Sequence, residues 1–149
     1  MKLRIMLLVS LPALLAACAT APTPQQIAQR TARYEAAAGK PMRSLYLNDR
    51  NFYSWEAIND HQVVAYLSPT RAYLFDLPPC PGLMASNGIA YTAKMDQINV
   101  NFDNVIPMQT GVPCQIRNIR PIDVKSVKQA RMHENIHGRP RAASGAAGS

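Results

Sequence analysis

The stretch FYSWEAINDHQVVAYLSPTRAYLFDL, residues 52–77, decides the fold class. Phe52 to Ile58 and Gln62 to Leu67 are short runs rich in aromatic and aliphatic side chains, and Asn59-Asp60 between them reads as a hairpin turn. Ser68-Pro69-Thr70 then turns the chain into Arg71 to Leu77, a third run of the same kind. Short apolar runs cut by turn residues predict strands, not helices.

The same pattern extends downstream. Asn87-Gly88 is a hairpin signal ahead of Ile89 to Thr92. Ile98, Val100 and Phe102 alternate with Asn99, Asn101 and Asp103, which predicts a half-buried strand with the three apolar residues inside. Cys114 to Ile119 is a further strand. With turns about every 8–12 residues, the six or seven strands predict a mainly β protein: a small antiparallel β-sandwich or partly closed barrel, its β core at about 42–123. An N-terminal helix precedes it. Gln25 to Ala38 has helical composition, places Ile27, Thr31, Tyr34 and Ala38 at helical spacing, and is stopped by Gly39 and Pro41. A short C-terminal helix follows, capped by Asp123, running through Arg131 and turning Val124 and Val127 inward.

At 149 residues and 16.4 kDa the chain has room for one domain. It is 48% hydrophobic and 17% charged, which excludes a highly charged disordered chain, and its 12 prolines argue against a long-helix protein. The net charge of +7 gathers towards the two ends.

The N-terminus carries Lys2 and Arg4, then an apolar run from Ile5 to Ala17 broken by Ser10 and Pro12. A basic start, a short apolar core and small residues at its end are the three parts of a secretory signal. The run is too short to span a bilayer, which needs about 20 residues. It ends Leu15-Ala16-Ala17-Cys18, which resembles the lipobox of bacterial lipoproteins. The thiol is the nucleophile that takes up a diacylglyceryl group, and several acyl chains on Cys18 anchor stably at about 0.8 kcal/mol per buried CH₂. Ala19 stands where inner-membrane retention usually places Asp, so the expected address is the outer membrane, facing the periplasm.

The expected organisation is a signal peptide at 1–17, a tether at 18–25, one periplasmic domain at 26–137 and a disordered Ala/Gly/Ser-rich tail at 138–149. Loss of Lys2 and Arg4 takes the 16 basic residues to 14 against 9 acidic ones, a mature charge of +5. With Cys18 lipidated, Cys80 and Cys114 remain, and in an oxidising envelope such a pair forms a disulfide. The competing redox or metal pair lacks a Cys-x-x-Cys spacing.

These landmarks resemble a group of small uncharacterised proteobacterial lipoproteins, a family known only as a domain of unknown function. The resemblance lies in Trp55 with Ile58, in Arg71-Ala72-Tyr73-Leu74-Phe75-Asp76-Leu77, and in Cys80 with Gly82-Leu83. It continues in Asp103-Asn104-Val105 and in Cys114-Gln115-Ile116-Arg117-Asn118-Ile119-Arg120-Pro121-Ile122-Asp123. It implies an exported, disulfide-bonded domain and transfers no catalytic residues.

His133-Glu134-Asn135-Ile136-His137 matches H-E-x-x-H, in which two histidines one helical turn apart bind zinc and the glutamate is the general base. Gly138 and Pro140 follow at once, and no His, Asp, Glu or Cys lies downstream to complete a zinc site. A solvated tail is therefore expected there, with a zinc-dependent hydrolase through His133, Glu134 and His137 as the remote alternative. Lys125, Lys128, Arg131, Arg139 and Arg141 form a basic stretch, read as a solvated face or a contact with anionic lipid headgroups. Trp55, Tyr66, Tyr73, Phe75 and Phe102 are candidate pocket aromatics and, more simply, core residues. Asp103 and Asp123 have turn and capping roles. Nothing resembles a nucleophile elbow or a phosphate loop.

The sequence thus predicts a non-catalytic outer-membrane lipoprotein with a binding or structural role in the envelope. A small-ligand carrier or sensor is the alternative. No cofactor, metal or nucleic-acid partner is expected. The expected partners are the membrane, through Cys18, and an envelope protein or small ligand.

Overall fold

The computed structural model describes residues 21–47 and 51–137. The expected signal peptide, Cys18 and the expected tail from 138 lie outside the described residues. In chain order the elements are α1 (Pro24–Ala37), β1 (Ser44–Tyr46), β2 (Ser54–Asn59), β3 (Gln62–Ser68), β4 (Arg71–Asp76), β5 (Ile89–Tyr91), β6 (Gln97–Asn99), β7 (Asn104–Pro107), β8 (Cys114–Gln115), β9 (Asn118–Ile122) and α2 (Val124–His137).

The predicted hairpins of residues 52–77 form β2, β3 and β4, and β9 completes an antiparallel sheet in the order β2-β3-β4-β9. At the first turn the Asn59 side-chain carbonyl accepts the His61 N–H at 3.0 Å, a local bond that Asn makes readily. This sheet is covered on both faces, so β3 is nearly all apolar. On one face Val64, Leu74, Ile58 and Ile122 pack under Tyr34 of α1 and Val124 and Val127 of α2. On the other, Val63, Ala65, Phe75 and Ile119 meet residues of the two smaller sheets, among them Leu45, Ile98 and Val105. Those sheets are the β1-β6 pair and the three strands β5-β7-β8. The arrangement is sandwich-like, and among the described residues no closed barrel forms.

Both helix starts follow side-chain chemistry. In α1 the Thr23 hydroxyl accepts from the Gln26 amide at 3.2 Å, and the Gln26 side chain accepts from the Thr23 amide at 2.9 Å, a reciprocal cap. Pro24 fills the first turn, where a missing N–H costs nothing. The helix therefore begins inside the segment read as tether. Asp123 caps α2 as expected, accepting from the amides of Lys125 at 3.0 Å and Ser126 at 3.2 Å. That helix is not short: it continues past Arg131 to His137.

Three local expectations fail. The predicted strand 98–102 stops at Asn99. The Asp103 carboxylate accepts from the Asn99 amide at 2.7 Å and the Thr92 hydroxyl at 2.8 Å. The Asn99 carbonyl accepts from the Asp103 amide at 3.0 Å. Asn101 takes a left-handed φ of 67°, a conformation Asn tolerates. Ile98 is buried as expected, but Phe102 is 82% exposed. Asn and Asp side chains that bond the backbone compete with a strand, and here they end it.

Asn87-Gly88 makes no hairpin turn. β5 pairs with β7 instead, and Gly88 provides space: a Cβ there would lie 2.7 Å from Met108 Sδ. The tight turn lies further on, where Met95 (φ 52°) and Asp96 (φ 56°) bridge Lys94 and Gln97. Finally, Cys114 to Ile119 is two strands. Between β8 and β9 the Ile116 amide donates to the Asp103 carbonyl and the Arg117 amide to the Asp76 carbonyl. β1 and β7 had no sequence signal strong enough to predict them.

Candidate functional site

Cys80 and Cys114 are joined, with Cα atoms 5.7 Å apart. Both are buried, and the bond ties the loop after β4 to β8. It belongs to the core and is not an exposed redox centre.

The helix-facing side of the large sheet also carries polar residues, and these gather into two clusters. In one, Arg120 of β9 grips Glu35 of α1 (Nη1 to Oε2 2.6 Å, Nη2 to Oε1 2.9 Å) and Asp76 of β4 (Nη2 to Oδ1 2.8 Å). Gln62 donates to both carboxylates, at 2.6 and 2.8 Å, and accepts from Asn59. The bonds from Arg120 hold the Glu35 carboxyl below its ordinary range. In the other cluster, the Tyr34 hydroxyl donates to Glu56 at 2.6 Å, and Arg131 of α2 donates to both. Burial and the bond to Glu56 push the Tyr34 phenol far above its ordinary value. Each carboxylate in these clusters has a cationic partner, so their chemistry is to tie α1 and α2 to the sheet.

The H-E-x-x-H segment is helical, and His133 is exposed. Glu134, however, is engaged by Arg33 of α1, Nη2 to Oε2 at 2.6 Å and Nε to Oε1 at 3.3 Å. This pair joins the part of α2 beyond Arg131 to α1. Among the described residues, no three His, Cys, Asp or Glu side chains converge on a point that would hold a metal ion. In the basic stretch, Lys125 and Lys128 face solvent, while Arg131 turns inward to Glu56. Arg139 and Arg141 lie outside the described residues.

The five candidate aromatics separate. Phe75 is fully buried, Trp55 and Tyr73 pack partly against the same core, and Tyr66 shares its hydroxyl with Tyr34 at 2.9 Å. Only Phe102 stands out of the surface, on the rim of an open cleft of about 760 Å³. Arg43 and Ser44 line one part of the cleft; Lys94 and the 99–103 turn line the rest. Sequence reasoning missed it because the cleft joins three separate segments. The one available signal was the density of turn-forming Asn and Asp around Phe102.

A model described as a family of unknown function, DUF6491, matches residues 1–138 of the chain. Comparisons with curated proteins and with solved structures gave no match.

Proposed function

The chain belongs to this family of unknown function, and we propose that it is an envelope lipoprotein, anchored through Cys18 in the outer membrane and facing the periplasm with a non-catalytic binding domain. The observation that carries this reading is the buried Cys80–Cys114 bond, which suits an oxidising compartment. Two more support it. Ala21 and Pro22 are exposed and α1 starts at Pro24, so the domain would stand close to the lipid anchor. No helix among the described residues is long and apolar enough to cross a membrane, which is compatible with attachment through the lipid. The non-catalytic reading is favoured because Glu134, the residue a zinc hydrolase would use as base, is neutralised by Arg33.

The test is fractionation of cells making wild type and Cys18→Ser, with labelled palmitate in the medium. The wild type should incorporate label and float with outer membrane on a density gradient. The variant should lose both properties. A variant that stays as firmly in the membrane fraction as wild type would sink the anchor.

A further inference from the structure

We infer that the cleft beside Phe102 binds a phosphate group carried on an apolar body. The inference goes beyond the envelope reading and does not depend on the lipid anchor.

The charge of the lining points to an anion. Among the described residues, the side chains of Arg43 and Lys94 have no ion-pair or hydrogen-bond partner. By contrast, Arg33, Arg120 and Arg131 are each matched to carboxylates. The lining has one carboxylate, Asp103, which is only 8% exposed and has both oxygens occupied by Thr92 and Asn99. The cleft therefore presents two cations against one carboxylate whose oxygens are turned to neutral donors, a net positive lining. Ser44 and Asn101 add a hydroxyl and an amide to the lining. A guanidinium fork, an ammonium and two neutral donors exceed what the two oxygens of a carboxylate accept, and they suit the three or four oxygens of a phosphate.

The second half of the inference rests on Phe102. Its ring is 82% exposed, yet the turn that carries it is pinned. The Asn101 amide donates to the Ile116 carbonyl at 2.7 Å, and Gln115 Nε2 donates to the Asn101 carbonyl at 2.6 Å. The Val100 amide donates to the Arg43 carbonyl at 2.9 Å, which joins the turn to the cationic wall. An aromatic ring left in water adds little burial to the fold, and a pinned backbone beneath it lowers the cost of covering it with a ligand. An apolar group attached to the phosphate would lie on that ring. Two sources supply such chemistry, a glycerophospholipid headgroup and a soluble organic phosphate.

The test is calorimetric titration of the full chain, held in an uncharged detergent, with inorganic phosphate, phenyl phosphate and dihexanoyl phosphatidylglycerol. At least one organic phosphate should bind saturably and about tenfold more tightly than inorganic phosphate. Tighter binding of the lipid assigns a membrane source, tighter binding of phenyl phosphate a soluble one, and either supports the site. Arg43→Gln combined with Lys94→Gln should weaken all binding about tenfold or more. Phe102→Ala should remove only the advantage over inorganic phosphate. All three side chains are exposed, so the variants should keep the wild-type circular dichroism and Tm. Saturable binding of neither organic phosphate, or unchanged binding in a folded double variant, would overturn the inference.

Discussion

Arg120 and Glu35 are 85 residues apart in the chain and meet through two parallel hydrogen bonds, of 2.6 and 2.9 Å. The pair fastens the first helix to the last strand, and Asp76 shares the same guanidinium. Removing Arg120 would leave two carboxylates facing each other. Arg120→Gln should destabilise the domain by about 1–3 kcal/mol at pH 7, a range reduced from that of a fully buried pair because Glu35 is 40% exposed. Urea denaturation measures it. Glu35→Gln combined with Arg120→Gln should cost less than the sum of the two single changes.

The same pair sets a pH dependence. The Glu35 carboxyl is held below its ordinary range by Arg120. Folding therefore favours the ionised form, and the stabilisation is complete above the unfolded glutamate pKa of about 4.3. It is lost as pH falls through the lower folded value. Wild-type stability should decline on acidification below that point. In Arg120→Gln the decline attributable to Glu35 should shrink, which denaturation series at several pH values would show. An equally steep decline in both proteins would contradict the assignment.

Reduction of Cys80–Cys114 should be costly. The bond closes a loop of 34 residues, worth about 3–4 kcal/mol in the chain-entropy model. Cys80→Ala with Cys114→Ala should lower Tm by well over ten degrees, because a domain of this size loses roughly 4–8 °C per kcal/mol. Alkylation of unreduced native protein should label neither thiol.

Two phenylalanines should respond in opposite ways. Phe75 is fully buried between β3 and β9, so Phe75→Ala should cost about 3–5 kcal/mol. Phe102→Ala, at an 82% exposed site, should fall within about 0.5 kcal/mol of wild type. Comparable thermal shifts in the two variants would contradict the turn at 99–103.

Purified untagged protein should retain no stoichiometric zinc, since among the described residues no three His, Cys, Asp or Glu side chains converge to hold a metal ion. Arg33→Ala should free the C-terminal turns of α2, read as faster amide exchange at residues 132–136. Stoichiometric zinc that is lost on His137→Ala would move hydrolytic chemistry to the front.

Where a residue's role depends on its immediate neighbours, the chain alone determined it. The β2–β3–β4 hairpins follow from apolar runs cut by Asn59-Asp60 and Ser68-Pro69-Thr70, and the α2 cap follows from Asp123. The cysteine pairing followed from composition once Cys18 was set aside. Tertiary structure decided the rest. Ile98, Val100 and Phe102 alternate as a strand does, but the cost of burying Asp103 is met by amides that fold the backbone into a turn, and this exposes Phe102. Tyr34, Glu56 and Arg131 lie in three distant segments, and Arg43 lies far along the chain from Lys94 and Phe102. Neither periodicity nor spacing encodes such meetings, because they depend on how sheets and helices stack over tens of residues. The cleft, like the partner of Glu134, exists only once the layers have packed.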